Sequence, residues 1–261
     1  SAVRPLVLAT STDLPAEHLT LIRASFGDAV TVVRDLTTWR ASAAHDQTAD
    51  ECPLAVGLFP LDALCEYRAF ESAARTRGMS ALSLALERRV LLIGPLSVPD
   101  SPGCGYCARL RMVAARAALG AMADVDDHIG NLEALRHLTK EIHGTWQSPR
   151  STKRFYLHVV ALSAMFPSPR RHRFVPMPYC EVCGGAARMR AVRSTRSLNG
   201  WVDPLTGVIA AIGAESPSQT GLELPIVVTA APPHLASVDG TVRRLPVGWG
   251  KGLSPANAVL S

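Results

Sequence analysis

Four of the six cysteines in the 261-residue chain form two pairs of identical spacing, Cys104-Gly-Tyr-Cys107 and Cys180-Glu-Val-Cys183. Two C-x2-C pairs offer four soft thiolates from two short loops, the donor set a tetrahedral zinc ion prefers. A site filled by four cysteines is closed and keeps no position for a substrate or a reactive water. The spacing therefore predicts a structural zinc clamp on Cys104, Cys107, Cys180 and Cys183, pinning together segments roughly seventy residues apart. Two disulfides would need an oxidising compartment. A redox role for one pair would leave the other unexplained, and chance pairing of four thiols is the remaining alternative. Gly103 and Gly105 flank the first pair, and Gly184 and Gly185 follow the second. They predict tight backbone whose N–H groups approach the sulfurs.

The rest of the composition bounds what surrounds such a clamp. Hydrophobic residues make up 48% of the chain and charged ones 19%, enough to bury the core of one large domain or two modest ones. The N-terminus has no signal-peptide layout, and no apolar run approaches the ~18 residues that cross a bilayer. A cytoplasmic protein with no membrane partner is expected. The net charge is +5, with basic residues gathered at Arg170, Arg171, His172 and Arg173 and again at Arg188, Arg190, Arg193 and Arg196. A solvated surface is the simpler reading and an acidic partner the other. No aromatic residues interleave these positions as base-stacking surfaces require, so nucleic acid is not an expected partner.

The elements that must position the cysteines follow from periodicity. Residues 5–9 read as a buried strand, Asp13-Leu-Pro15 opens a helix with apolar spacing at Leu19, Ile22 and Phe26, and residues 29–34 read as a second strand. This β-α-β unit predicts a parallel pair. Residues 54–59 predict a third strand and 61–77 a helix ending at Gly78. Residues 80–86 and 89–93 predict a tight hairpin closed by Gly94-Pro95. The order is that of an open α/β sheet. The turn after the first strand, Ala9-Thr-Ser-Thr-Asp13, contains no glycine, so a Rossmann-like sheet without a dinucleotide site is expected.

Helices are expected at 108–122 and 128–143, and a strand at 153–163. His128, His137 and His143 read as surface or capping residues, and His158 as half-buried rather than catalytic. Pro167, Pro169, Pro176 and Pro178 would carry the chain stiffly into the second cysteine pair. Strands are expected at 186–194, 205–213 and 225–230, with a turn at Asp203-Pro204 and a loop over 215–221. Ser254-Pro255 would open a helix after the glycine-rich stretch Gly248–Gly252. An apolar helix begun so near the last residue suggests a piece of a longer protein.

Several stretches resemble a known family. Gly94-Pro-Leu-Ser-Val-Pro-Asp-Ser-Pro-Gly-Cys104-Gly-Tyr-Cys107-Ala-Arg-Leu-Arg111 resembles the first cysteine pair of ThiF-like proteins, relatives of ubiquitin-activating enzymes. His172-Arg-Phe-Val-Pro-Met-Pro-Tyr-Cys180-Glu-Val-Cys183-Gly184 resembles their second. Asn199–Ile209 and Gly250–Ser261 resemble the opening of a YcaO domain. ThiF-like part, zinc tetrad and YcaO, in that order, are similar to fused cyclodehydratases that make thiazole/oxazole-modified peptides, thiopeptides among them. The resemblance implies an α/β, Rossmann-like ThiF-type domain with a four-Cys zinc site, followed by an incomplete α+β YcaO segment. Its divisions would fall at residues 1–100, 101–190 and 191–261.

In that family the YcaO domain uses ATP and magnesium to phosphorylate a backbone amide oxygen of a precursor peptide. A neighbouring Cys, Ser or Thr side chain attacks the amide carbon, and phosphate leaves to give an azoline. The ThiF-like part is a scaffold, and family members often pair through it, which implies a homodimer. Three departures are expected to matter. No winged-helix segment precedes the first strand, so leader-peptide recognition falls to a separate protein. The glycine fingerprint is missing. The YcaO stretch stops at Ser261, which matches the first serine of the family's Ser-x3-Glu nucleotide motif. Zinc is thus the cofactor expected here, ATP and magnesium belong to the full-length parent, no catalytic residue is assigned, and this piece alone is expected to be inactive. A stand-alone, zinc-stabilised ThiF-like docking protein is the alternative.

Overall fold

The structure, a computed structural model, describes residues 6–10, 16, 20, 24, 30–41, 54–87, 90–118, 155–163, 166–177, 180–184, 201–209, 211–215, 226–231, 235–236, 242–243 and 248–252. Leu6–Thr10 (β1), Val30–Val33 (β2) and Leu54–Phe59 (β3) are apolar, strand-forming runs. β1 lies between the other two and runs parallel to both, with Val7 opposite Thr31 on one side and Ala55 on the other. Every residue of β3 is buried, as for a strand covered on both faces. The expected parallel pair is therefore present. Of the helix opened near Asp13, positions 16, 20 and 24 are described and are helical.

Ser80–Glu87 (β4) continues the parallel run beside β3. From there the direction alternates: Val90–Ser97 (β5), His158–Ser163 (β6) and Phe166–Arg173 (β7) add antiparallel, one after another. The result is one mixed, seven-stranded sheet in the order β2-β1-β3-β4-β5-β6-β7.

Beyond the partly described helix near Asp13, the sheet is accompanied by Leu36–Ala41 (α1), Leu64–Thr76 (α2) and Gly105–Ala118 (α3). The Asp35 side chain opens α1 by accepting from the Thr37 amide at 2.8 Å. α2 turns Leu64, Tyr67, Phe70 and Glu71 inward. Phe70 stacks on Trp39 of α1 at 6.0 Å between ring centroids. The Tyr67 hydroxyl donates to the Phe59 carbonyl at 2.7 Å and also meets the Leu84 carbonyl, tying the helix to β3 and β4. α3 lies against α2 and over β4 and β5. Further along, Ala211–Glu215 (β8), Ile226–Ala231 (β9) and Gly248–Gly252 (β12) form a three-stranded antiparallel sheet. Leu235–Ala236 (β10) and Val242–Arg243 (β11) pair separately, with β10 resting against α3.

Several expectations are corrected. Gly94-Pro95 does not close the hairpin: pairing is already complete where Glu87 faces Val90, and β5 runs on to Ser97. Gly94 (φ 100°) and the cis-linked Pro95 lie inside β5, where pairing with β6 stops at Ile93 and register with β4 shifts between Leu82 and Leu84. A proline without an N–H fits there because no β6 carbonyl needs it. The segment with Pro167 and Pro169 is the sheet's last strand in the described order, a position that tolerates prolines. The strand expected from 153 starts at His158, because Leu157 has left-handed backbone (φ 54°). In place of a strand from 205, residues 201–209 wrap around Asp203 and the strand begins at Ala211. The glycine-rich stretch Gly248–Gly252, given no element from its sequence, is a strand, with Trp249 opposite Thr229. The expected elements at 128–143 and 186–194 and the helix from Ser254 lie outside the described residues, as does Ser261. No helix among the described residues is long and apolar enough to cross a membrane.

Candidate metal centre

The structure brings the four predicted cysteines together. Cys104 Sγ lies 3.6 Å from Cys107 Sγ and 3.7 Å from Cys180 Sγ, and Cys107 Sγ lies 3.7 Å from Cys183 Sγ. All four sulfurs fall within 4.8 Å of one another, and all four residues are buried. A disulfide would need about 2.0 Å, so the cysteines are free thiols. Four sulfurs held about 2.3 Å from one zinc at tetrahedral corners stand about 3.8 Å apart. The three edges of 3.6–3.7 Å fit that figure, and no other exceeds 4.8 Å.

Local sequence explains how each half is built. Cys104 precedes the first residue of α3, and its carbonyl accepts from the Ala108 amide at 3.2 Å. The first pair thus rides on the start of a helix, not in a loop, and α3 begins at Gly105 rather than at 108. Gly103 has φ 91°, and a side chain there would also collide with Leu157. Its N–H reaches the Cys183 sulfur, as the flanking glycines were expected to do. The Gly105 N–H does not: it donates to the Glu71 carboxylate at 2.7 Å. The second pair sits on a tight turn in which the Cys180 amide donates to the Met177 carbonyl at 3.3 Å and the Gly184 amide to the Cys180 carbonyl at 3.0 Å.

The electrostatics of the cluster suit a cation. Burial pushes the Cys104 thiol well above its ordinary pKa. Cys107 is lowered by its bond with Cys104 but raised more by those to Cys180 and Cys183 and by burial. Hydrogen bonds from Cys104 and then Cys107 pull Cys180 and Cys183 below the ordinary thiol range. Four buried sulfurs this close cannot all ionise without a compensating cation, so in its absence they share protons. A divalent cation would replace those protons and let all four ionise.

Other charges brace the two halves. The Arg111 Nε, one turn beyond Cys107, donates to the Val175 carbonyl at 2.8 Å and so ties α3 to the segment that leads into Cys180. Burial lowers the Arg111 pKa while the nearby Cys107 raises it. Arg68 of α2 meets Glu181, between the second pair, at 3.3 Å. That pair is exposed and contributes little. Tyr106 is pushed up to about 12 by burial and then by Glu181.

Away from the sulfurs, His172 Nδ1 lies 3.1 Å from both Asp203 oxygens. Asp203 Oδ1 also accepts from the amides of Leu205 and Thr206, each at 2.8 Å. Burial alone would raise the Asp203 carboxyl, but hydrogen bonds from His172, Thr206 and Leu205 outweigh it and hold the group below its usual range. Arg170, Arg171 and Arg173 lie exposed on β7, while Arg188, Arg190, Arg193 and Arg196 are outside the described residues. His158 is half-buried, as expected, with Nδ1 2.8 Å from the Tyr156 carbonyl. The three histidines at 128, 137 and 143 fall outside the described residues.

Sequence reasoning missed Glu71. The signal was present in its phase, since Leu64, Tyr67, Glu71 and Ala74 repeat at helical spacing on the buried face of α2.

No family model and no curated protein matches the chain. Among solved structures, it is similar to a heterocyclase in complex with substrate and cofactor, with TM-score 0.62 and 17% identity over 98% of this chain and 38% of that one. The fold is shared with heterocyclases. A second example is the heterocyclase TruD, with TM-score 0.54 and 16% identity over 79% of this chain and 33% of that one. The chain thus spans about a third of the length of these heterocyclases.

Proposed function

We propose that this chain is the scaffold and docking portion of an ATP-dependent cyclodehydratase that converts Cys, Ser or Thr of a precursor peptide into azolines. The observation that carries the reading is the match to a heterocyclase over 98% of this chain. The buried sulfur cluster agrees with the two cysteine pairs that suggested a ThiF-like/YcaO arrangement. In this reading residues 1–100 form the ThiF-type part, 101–190 carry the zinc tetrad, and 191–261 open the YcaO domain, with Ser261 at the edge of its nucleotide site.

The metal's part is structural. Cys104, Cys107, Cys180 and Cys183 would hold one zinc and leave it no open position, so the ion fixes geometry and takes no substrate. ATP and magnesium would act in the full-length parent. Precursor peptide would be presented with the help of a separate leader-recognition protein, and the ThiF-type part would pair with a second copy.

The test is a titration of labelled precursor peptide into this chain, with and without the leader-recognition protein. Weak or no binding alone, and binding once that protein is added, supports the reading. Tight, sequence-specific binding by this chain alone favours the stand-alone docking protein instead.

A further inference from the structure

A carboxylate lies under the cysteine cluster and belongs to neither pair. Glu71 is fully buried on the inner face of α2. Its Oε1 accepts from the Ser83 hydroxyl of β4 and from the Gly105 amide, both at 2.7 Å, and its Oε2 accepts from the Ser97 hydroxyl of β5 at 2.5 Å. Burying a carboxyl group costs several kcal/mol unless donors surround it. Here three donors from three different elements converge on it. Burial raises the Glu71 pKa, against the hydrogen bonds from Ser97, Ser83 and Gly105 and the charge of Arg75.

The Gly105 amide is one of the donors left without a helical partner at the start of α3. It sits between the two cysteines of the first pair. Where this amide is held therefore decides where the Cys104 and Cys107 sulfurs stand. Any side chain at 105 would collide with the Ser83 hydroxyl and the Glu71 carboxylate, so the close approach is built into the sequence. One turn on, the buried Arg109 guanidinium donates to the Ser83 and Gly94 carbonyls, each at 3.1 Å, and lies over the Tyr67 ring. The same helix is thus seated twice on β4 and β5.

We propose that Glu71 is the positioning residue of the metal centre: its carboxyl oxygens seat the first turn of α3 so that Cys104 and Cys107 meet Cys180 and Cys183. This rests on the cluster being a metal site. Zinc content of the wild-type protein is therefore measured first. Zinc release to a chromophoric chelator is then timed for wild type, E71Q, E71D and E71A. L58A serves as a core control, because buried Leu58 lies in β3 outside the cluster that includes the cysteines. E71A is expected to release zinc roughly tenfold faster or more, the effect of losing a buried cap. E71D, whose shorter side chain retreats from Gly105, is expected to fall between E71A and wild type. E71Q should stay near the wild-type rate, because its amide oxygen still accepts from Gly105, and L58A should do the same. Cobalt-loaded E71D should keep the charge-transfer intensity of four thiolates.

Wild-type release rates in both E71A and E71D overturn the proposal, as does L58A releasing as fast as E71A. If E71A does not fold, E71D against E71Q decides: equal rates overturn it. A wild-type protein that binds no metal overturns the metal reading and this proposal together. Bound metal with unchanged release in the variants overturns only the role of Glu71.

Discussion

The sulfurs of Cys107 and Cys183 stand 3.7 Å apart although 76 residues separate them along the chain. One helix start and one tight turn, each shaped by a different local constraint, deliver them to the same point. Zinc bound there would close a long loop as well as fill a donor set. Closing a loop of this size is worth about 4 kcal/mol by the loop-entropy relation used for cross-links. Cys104→Ser or Cys180→Ser should therefore release the metal and lower unfolding free energy by several kcal/mol. Elemental analysis combined with urea denaturation measures both, and a variant that melts like wild type would show the clamp to be unimportant.

Gly105→Ala and Gly103→Ala test the backbone constraints directly. The first drives a methyl group into Ser83 and Glu71, and the second meets Leu157 from a left-handed conformation. Each should cost about 1–3 kcal/mol, read as a fall in Tm. Gly78→Ala, which also has positive φ but open space around it, should cost less.

Asp203 predicts a pH dependence. Its folded-state pKa lies below the unfolded value, so its contribution is present above the unfolded pKa of about 3.9 and is lost as pH falls through the folded one. Asp203→Asn should cost about 1–3 kcal/mol at neutral pH. The gap to wild type should close in acid. Denaturant unfolding at several pH values checks this, and a gap that persists below the folded pKa would count against the carboxylate's charge as the cause.

ATP with magnesium should leave the Tm of this chain unchanged, because the sequence 9–13 that follows the body of β1 holds no glycine to bring backbone against a pyrophosphate. A ligand at 100 times its Kd would add about 2.7 kcal/mol to stability. A thermal-shift assay would detect it.

Much of the site was legible because metal-ligand spacing is local. Cys104, Cys107, Cys180 and Cys183 announce a tetrad without any knowledge of the sheet. β1, β2, β3 and α2 were legible for the same kind of reason, since their apolar runs and helical phase are each complete within a few turns. What escaped notice depends on tertiary neighbours. Pro167 and Pro169 argue against a strand until β7 is known to end the described sheet. The glycines of β12 point to no element until Thr229 and Val227 face Trp249 and Lys251. Glu71 reads as a surface acid until Ser83, Ser97 and Gly105 arrive from elsewhere to meet it.

The two prolines of β7 carry no N–H, and Arg170, Arg171 and Arg173 follow them along the same strand, exposed. A foreign strand laid alongside would find missing donors and then repeated positive charge. Sheet margins without such features invite stacking between copies and fibrous aggregation. Among the described residues no further strand pairs with β7, and its prolines and arginines would disfavour such stacking there.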